Sequence, residues 1–483
     1  MKLSLWGDRP SSPTDEFGTL TTSTKLAYGV GTIGISMTGN ILAFFVMFFF
    51  TDVVGLPPYL AGSILMIGKI TDAINDPIIG WLGDRTRSRW GRRYPWIIFG
   101  AIPFGLSFAF LWIVPDWNQW VLFSYYAFMA VVYNTAYTAV FLPYVALTPE
   151  LSQDYNERTS LNSFRFTFAI GSSLLSLVMA QAIFHWVPNP RNQFMVLGLC
   201  TVAIALVSLY WCVRGTWNRI MGRATQMSVV EHHTSLSLGR QFRTILRNRP
   251  FLLVMGIYLC AWLSAQLTAV IMPYFVVSWM RLPSEAFTQF ALSVQGTALL
   301  MLSVWSGISR RLGKRMAYMM GISLWVIAQA GLFFLQPGQS GLLYALGVLA
   351  GFGVSTAYLI PWSMLPDVID LDELRTGKRR EGVFYAFMIM LQKAGIALGL
   401  FLIGVALSWA GYIESSPGEP TPVQPDSALW VIRLVIGPFG TLILLGSLVL
   451  VYFYPITQEL HANIRQRLMV RHQRDSAAAK GSE

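Results

Sequence analysis

The sequence predicts an all-α polytopic membrane protein with twelve transmembrane helices arranged as two six-helix repeats. Hydrophobic residues make up 54% of the 483 residues and charged residues only 12%, about half of the roughly 25% that is usual in soluble proteins. Apolar runs of about twenty residues, the length that crosses a bilayer as a helix, recur along the chain. The basic residues fall mainly in the links between these runs. A soluble globular protein, a disordered chain and a secreted disulfide scaffold are therefore excluded.

Twelve runs meet the length criterion, and Gly, Pro or charged residues separate them. They cover residues 26–50, 57–82, 95–114, 119–147, 160–185, 194–213, 251–279, 285–308, 315–336, 341–365, 382–411 and 428–454. The first run follows a Ser/Thr-rich stretch and lacks a small-residue cleavage pattern, so we expect it to remain in the mature protein.

The distribution of basic residues predicts the orientation, because Lys and Arg next to transmembrane helices stay on the cytoplasmic side. Most of the 35 Lys and Arg residues lie in alternate links, such as the clusters within 85–93 and 310–315, whereas the opposite links contain only Arg191 and Arg281. Both termini are therefore predicted to be cytoplasmic, in an integral multi-pass protein of the plasma (inner) membrane. The same asymmetry accounts for the net charge of +11, so no nucleic-acid partner is expected.

The pattern divides the chain into five predicted segments. They are a cytoplasmic N-terminal segment 1–25, a six-helix bundle 26–213, a cytoplasmic central loop 214–250, a second six-helix bundle 251–454 and a cytoplasmic C-terminal tail 455–483. Short basic links that contain Gly, 83–93 and 309–315, follow the second and eighth runs and relate the two bundles. Parallel repeats with a binding site between them are typical of transporters, so this organisation favours a carrier over a receptor or a channel.

Charged residues inside the second predicted span are the most informative feature. Lys69, Asp72 and Asp76 are spaced i, i+3 and i+7, which places them on one face of a helix. A charge at mid-membrane costs about 2.5–3.5 kcal/mol on insertion scales, so we expect these groups to face a shared polar interior. The alternative is a buried Lys69–Asp72 ion pair that only ties helices together, which leaves Asp76 unexplained.

Further oxygen donors are expected beside these carboxylates. Asn75 is on the same face, and Pro77 frees a backbone carbonyl oxygen one turn earlier. Thr138 in the fourth span adds a hydroxyl, although an intramembrane Thr more often bonds its own helix backbone. Such a set suits a hard monovalent cation or a proton, and Asp72 and Asp76 are the predicted ligands if the ion is Na⁺.

Two other intramembrane charges lie outside the second span. Lys393 in the eleventh span needs an acidic partner, and the carboxylates belong to the opposite half, so we expect a charge pair that breaks and re-forms as the halves rock. Arg165 in the fifth span either binds a substrate oxygen or tethers helices. The three cysteines have no metal-ligand spacing, and the sequence indicates no cofactor, only a coupling ion.

Three strings carry a family resemblance: Lys25-Leu26-Ala27-Tyr28-Gly29, Phe49-Phe50-Thr51-Asp52-Val53-Val54-Gly55 and Asp72-Ala73-Ile74-Asn75-Asp76-Pro77. With them the chain resembles the glycoside-pentoside-hexuronide:cation symporters of the major facilitator superfamily along its whole length. The resemblance implies the major facilitator fold, alternating access and no enzymatic activity. It also implies that Asp72, Asn75, Asp76 and Thr138 line the site of the coupling cation, Na⁺ or H⁺.

The chain departs from the galactoside carriers of this family, which have sugar-binding carboxylates where it has Ser36 and Phe141. The stretch 359–370 is instead similar to the animal sodium-dependent lysophosphatidylcholine symporters of the same family. In that branch, the residues equivalent to Arg165 and Lys393 lie along the path of a zwitterionic headgroup. An apolar Phe141 also suits an acyl chain.

The preferred prediction is cation-coupled symport of a sugar or glycoside. The residues expected to bind this substrate or couple its movement are Lys69, Arg165, Lys393, Ser36 and Phe141. The alternative is cation-coupled symport of a lysophospholipid. The expected partners are thus a small-molecule or amphipathic lipid substrate and membrane lipids, and we expect a monomer.

A distant alternative is an intramembrane enzyme that transfers prenyl groups with Mg²⁺ bound by two acidic motifs. These motifs would be Asp72-x-x-x-Asp76 and Asp367-x-x-Asp370. Their predicted depths in the membrane differ by about 15 Å at 1.5 Å rise per residue, which opposes a shared metal site.

Overall fold

A computed structural model describes residues 20–152, 155–224, 248–377, 381–414 and 422–480. Helices joined by short links make up this part of the chain, and no strand occurs within these ranges. The predicted all-α class is confirmed. Most of the predicted segments 1–25 and 214–250 lies outside the described residues.

We number the α-helices in chain order, and three of them are followed directly by a short π-helical turn. The helices are α1 (Thr22–Val30), α2 (Thr32–Phe48), α3 (Pro58–Arg85), α4 (Tyr94–Leu111), α5 (Gln119–Val145), α6 (Leu147–Leu151), α7 (Tyr155–Trp186), α8 (Pro190–Ala224), α9 (Arg249–Tyr274), α10 (Ser284–Phe334), α11 (Ser340–Thr376), α12 (Glu381–Trp409), α13 (Asp426–Leu434), α14 (Gly440–Tyr452) and α15 (Gln458–Lys480). The π-helical turns are Phe49–Val53, Phe275–Trp279 and Val435–Phe439. We refer to α1–α8 as the first half and to α9–α14 as the second half.

Ten helical segments in the described ranges are long and apolar enough to cross a membrane. The predicted second span corresponds to α3, whose charged residues keep it outside these ten. The predicted eighth and ninth spans both lie in α10, where Gly313 has a φ of 82° and interrupts the helix. Counting α3 and dividing α10 at Gly313 would give twelve, so the twelve-span count stays a prediction.

Helical structure extends beyond the membrane-length runs, both within α8 and as the separate helix α15, so two segment boundaries differ from the prediction. Helix α8 extends to Ala224 and so occupies the first part of the predicted central loop 214–250. Helix α15 fills most of the predicted tail 455–483. Apolar periodicity marks only the membrane-length part of a helix, and these extensions are polar.

A structural repeat relates the two halves more closely than the basic links do. The turns Phe49–Val53 and Phe275–Trp279 are each followed by a residue with positive φ, Gly55 (82°) and Arg281 (54°), and then by Leu-Pro. The backbone hydrogen bonds also correspond. In the first half, the N–H groups of Val54 and Leu56 donate to the carbonyl oxygens of Phe49 (3.0 Å) and Phe50 (2.8 Å). In the second half, the N–H groups of Met280 and Leu282 donate to the carbonyl oxygens of Phe275 (2.9 Å) and Val276 (3.0 Å). This correspondence supports two parallel repeats.

The halves pack together at the end of the bundle opposite the chain termini, which we call the outer end. The rings of Phe45 and Phe287 lie edge to face with centroids 5.2 Å apart. Helices α3 and α12 approach so closely that a Cβ on Gly62 would lie 3.0 Å from the carbonyl oxygen of Leu400. Gly404 of α12 faces the backbone of Pro58 at the same crossing. Glycine is required there because any side chain would separate the helices.

At the terminal end, where α1 begins and α14 ends, the basic links bind acids of their own half. Arg93 Nε donates to Glu150 at 3.2 Å, and Lys314 Nζ lies 2.6 Å from Asp367 Oδ2. His461 of α15 lies 3.3 Å from Asp367 Oδ1. These contacts fasten links and helix ends within each half.

Candidate functional site

Helix α3 carries the charged stripe through the middle of the bundle. Pro77 lies inside this 28-residue helix without ending it, so Lys69, Asp72 and Asp76 keep their helical spacing near its midpoint. Its neighbours there are α5 of the same half and α12 of the other half. The predicted polar interior therefore lies where the halves meet.

The two carboxylates share a hydroxyl donor from α5. Thr138 Oγ1 donates to Asp72 Oδ1 at 3.0 Å and to Asp76 Oδ1 at 3.3 Å. Thr138 is buried, with 1% of its surface exposed. The hydroxyl thus draws one oxygen of each carboxylate together, and this three-oxygen cluster has the chemistry that suits a hard monovalent cation.

Lys393 of α12 reaches the same carboxylates from the second half. Its Nζ lies 3.0 Å from Asp72 Oδ2 and forms a short ion pair with Asp76 Oδ2. The ammonium contacts the oxygens that Thr138 leaves free. In a low-dielectric interior, two adjacent carboxylates need such neutralisation, so one cation from the opposite half compensates the acidic pair.

The other predicted residues on α3 take different positions. Asn75 Nδ2 donates to Thr135 Oγ1 at 2.7 Å, which orients the amide toward α5. Lys69 lies in the electrostatic field of Asp72, Asp76 and Lys393, but within the described chain no carboxylate oxygen comes within 4 Å of its ammonium. The alternative Lys69–Asp72 ion pair is therefore not formed in this state.

The carboxylates differ in exposure. The Asp76 side chain is 30% exposed and the Asp72 side chain 6%. Asp76 lies one helical turn closer to the terminal end than Asp72. The more exposed carboxylate is therefore the one nearer the terminal end.

Three predicted substrate residues lie in the first half, away from this cluster. The Arg165 guanidinium lies 4.8 Å from the ring centroid of Phe166 and interacts electrostatically with Tyr28 and Tyr144. Ser36 shares a 3.5 Å hydrogen bond with Thr32. Phe141 stacks on Tyr137, with ring centroids 5.4 Å apart. No described contact joins these three residues to the carboxylate pair.

A central cavity of about 140 Å³ lies between α2 and the second half. Its polar lining includes Asn40, Gln266 and Gln295, and its aromatic lining includes Trp262 and Tyr358. Sequence reasoning missed these residues. The available signal was the occurrence of Gln266 and Gln295 in otherwise apolar predicted spans.

Asp367 and Asp370, the second motif of the prenyl-transfer alternative, bind residues at the terminal end. Asp367 contacts Lys314 and His461, and Asp370 also contacts His461, at 3.3 Å. Asp72 and Asp76 instead contact Lys393. In the ranges described, no group of three or more His, Cys, Asp or Glu side chains could hold a metal ion.

Comparison with known proteins gives consistent relationships. A family model described as MFS/sugar transport protein matches residues 27–458. An uncharacterized symporter of Synechocystis sp. is 47% identical, covering 93% of this chain and 97% of that protein. The putative glycoside/cation symporter YagG of Escherichia coli is 27% identical, covering 93% and 95%. The sodium-dependent lysophosphatidylcholine symporter 1 of Gallus gallus is 28% identical, covering 91% and 88%.

The fold is also similar to a solved transporter structure. The crystal structure of the nucleoside transporter NupG has a TM-score of 0.63 at 13% identity, covering 90% of this chain and 100% of that chain. The helical architecture is thus shared with this solved structure. Because the family model spans most of the chain, the protein belongs to the MFS/sugar transport family, the glycoside-pentoside-hexuronide:cation symporters of the major facilitator superfamily.

Proposed function

We propose that this protein is a secondary active transporter that couples the movement of Na⁺ or H⁺ to that of a sugar or glycoside by alternating access. The observation that carries the proposal is the ion pair of Lys393, from the second half, with Asp72 and Asp76 of the first half. An ion site and an interface between the halves therefore share the same two carboxylates.

The charges define how coupling works. A cation that binds Asp72 and Asp76 competes with the Lys393 ammonium for the same oxygens, so its arrival releases α12 from α3. Thr138 keeps the two carboxylates together when the ammonium leaves, and Asn75, whose amide nitrogen is held by Thr135, is the proposed source of a further ligand oxygen. Because the state of the ion site changes the contact between halves, ion and solute binding are linked reciprocally.

The orientation follows from the basic links. We assign the terminal end to the cytoplasm, which puts both termini, the central loop 214–250 and the tail 455–483 on that side. The bundles 26–213 and 251–454 then rock about the ion site in the plasma membrane, as a monomer. With its outer end closed, the described state faces the cytoplasm.

A lysophospholipid is the second candidate substrate. The relative from Gallus gallus named for lysophosphatidylcholine supports it, as do the apolar Phe141 and the cationic Arg165 of the first half. Lys69 and Ser36 line the same half and would contact a solute that passes between α2, α3 and α5.

The test is uptake into proteoliposomes under an imposed Na⁺ or H⁺ gradient. Radiolabelled methyl glycosides and a lysophosphatidylcholine are offered to the wild type, to Asp76→Asn and to Asp116→Asn, which changes an exposed carboxylate. We expect gradient-driven glycoside accumulation in the wild type and in Asp116→Asn, and none in Asp76→Asn. Full accumulation by Asp76→Asn would refute the ion site, and accumulation of the lysolipid alone would select the second candidate.

A further inference from the structure

The central cavity contains polar groups that the protein itself does not satisfy. Asn40 and Gln266 make no hydrogen bond with any described residue, although both line the cavity. The indole Nε1 of Trp262 is buried and also lacks a partner. Buried polar groups are nearly always hydrogen-bonded, so the buried Trp262 indole indicates a ligand that accepts its hydrogen bond, and the half-buried amides of Asn40 and Gln266 are free to bond the same ligand.

The lining restricts the charge of that ligand. Among the described residues that line the cavity, none is Asp, Glu, Lys, Arg or His. A phosphate or an ammonium buried there would have no counter-ion, which is strongly unfavourable. The zwitterionic headgroup of a lysophospholipid is therefore a poor fit, and an uncharged ligand is favoured.

The lining also specifies the shape of the ligand. Side-chain amides both donate and accept hydrogen bonds, which suits the hydroxyl groups of a polyol. The rings of Trp262 and Tyr358, with centroids 5.7 Å apart, present flat apolar faces. A cavity of about 140 Å³ has room for roughly five water molecules at about 30 Å³ each, a space on the scale of one sugar ring.

From this cavity we infer a solute site in the second half that takes an uncharged, hydroxylated ring compound, with Gln266 and Trp262 as specificity-determining residues. This inference rests on the proposed transport function and narrows its substrate class. The inferred solute site does not include Arg165 and Phe141 of the first half, which the sequence predicts as substrate residues.

A physical connection leads from this site to the ion site. Trp262 stacks on Tyr258, with centroids 5.9 Å apart, and the Tyr258 hydroxyl donates to Gln392 Oε1 at 2.8 Å. Gln392 precedes Lys393 on α12. In a helix of 3.6 residues per turn, the side chains of successive residues point about 100° apart. The hydrogen bond that holds Gln392 in place therefore also fixes the direction in which the Lys393 side chain leaves α12. Tyr258 is thus a positioning residue that links solute binding to the ammonium.

Calorimetric titration of the purified full-length protein in lipid nanodiscs tests the site. The probes are methyl glucoside, methyl xyloside and glycerophosphocholine, and the variants are Gln266→Ala, Gln266→Asn and, as control, the exposed Gln119→Ala. We expect a neutral glycoside to bind, to lose about tenfold in affinity in Gln266→Ala, as for one lost hydrogen bond, and to bind Gln119→Ala normally. Gln266→Asn, which retains an amide, should lose less, and this distinguishes lost recognition from misfolding.

Two results would overturn the site: glycoside binding that is unchanged in Gln266→Ala, or binding of glycerophosphocholine but of neither glycoside. A defect in the proposed coupling gives a different pattern. Asp76→Asn should still bind the glycoside, with the affinity of the cation-free protein and no response to added cation, and it should lose gradient-driven accumulation, so the two proposals fail separately.

The positioning role of Tyr258 needs a readout that general structural damage would not produce. Tyr258→Phe keeps the stacked ring and removes only the bond to Gln392. We expect glycoside affinity and exchange without a gradient to stay near wild type, while the accumulation ratio under a cation gradient falls about fivefold or more, the lower range of coupling energies. An unchanged accumulation ratio, or equal losses in exchange and accumulation, would contradict the role.

Discussion

Tyr412 of the second half donates its hydroxyl to Asp52 of the first half, at 2.9 and 3.1 Å from the two carboxylate oxygens. Thr51, the neighbour of Asp52 in the first π-helical turn, lies 2.8 Å from the Tyr274 hydroxyl. The rings of Tyr274 and Tyr412 pack edge to face. These contacts join the halves at the outer end and must break before that end opens.

Tyr412→Phe should open the outer end more often. The variant loses a hydrogen bond to a carboxylate, and such bonds contribute about 1.5–3 kcal/mol, so the open population should rise about tenfold to hundredfold. Hydrogen–deuterium exchange of the backbone in Phe49–Val53 measures this opening. Tyr210→Phe, at an exposed site, is the matched control, and equal exchange in both variants would argue against a latch at Asp52.

Lys393→Ala should separate ion binding from transport. Removing the Lys393 ammonium frees the carboxylate oxygens that it occupies, so the affinity of the site for the coupling cation should rise about tenfold or more. Slower cation release should reduce net uptake more than solute exchange. Cation titration of the purified variant and paired uptake and exchange assays test this, with Lys393→Arg as a variant that keeps the charge. Weaker cation binding by Lys393→Ala would contradict the competition.

Thr138→Val should weaken cation binding, whereas Thr138→Ser should largely preserve it. Valine keeps the volume of threonine but removes the oxygen that bonds both carboxylates, a loss of about 1.5–3 kcal/mol for a bond to a charged group. Cation affinity should therefore fall about tenfold or more. The measurement is the cation concentration for half-maximal solute uptake, and equal values for the Val and Ser variants would exclude Thr138 as a ligand.

Gly404→Val should hinder closure of the outer end. A Cβ at this position would meet the backbone carbonyl of Pro58 and the backbone of Gly62, and backbone atoms do not move aside as a flexible side chain can. We expect the variant to bind external solute but to lose most net uptake. Gly171→Val, where a Cβ would meet no atom within 4 Å, should transport normally. Wild-type uptake by Gly404→Val would show that α3 and α12 need not approach so closely.

The local parts of the site were predictable from the sequence. The i, i+3, i+7 spacing of Lys69, Asp72 and Asp76 placed them on one helical stripe, because the geometry of a single helix is set by its backbone hydrogen bonds. Thr138 and Lys393 were predictable as candidates because a polar or charged residue in an apolar run needs a partner. The family motifs pointed to the same residues.

The contacts between site residues on different helices depend on the tertiary structure. Lys393, rather than the nearby Lys69, neutralises the two carboxylates because α12 packs against α3, and helix spacing within α3 carries no information about that packing. The cavity residue Gln266, the Tyr258–Gln392 bond and the matching π-helical turns were likewise not predicted. The membrane-spanning helices and the charged stripe follow from the amino-acid sequence alone, since both depend on residues close together in the chain. Which helical faces contact each other depends on the folded bundle, because those contacts join residues far apart in the chain and require all the helices to pack together.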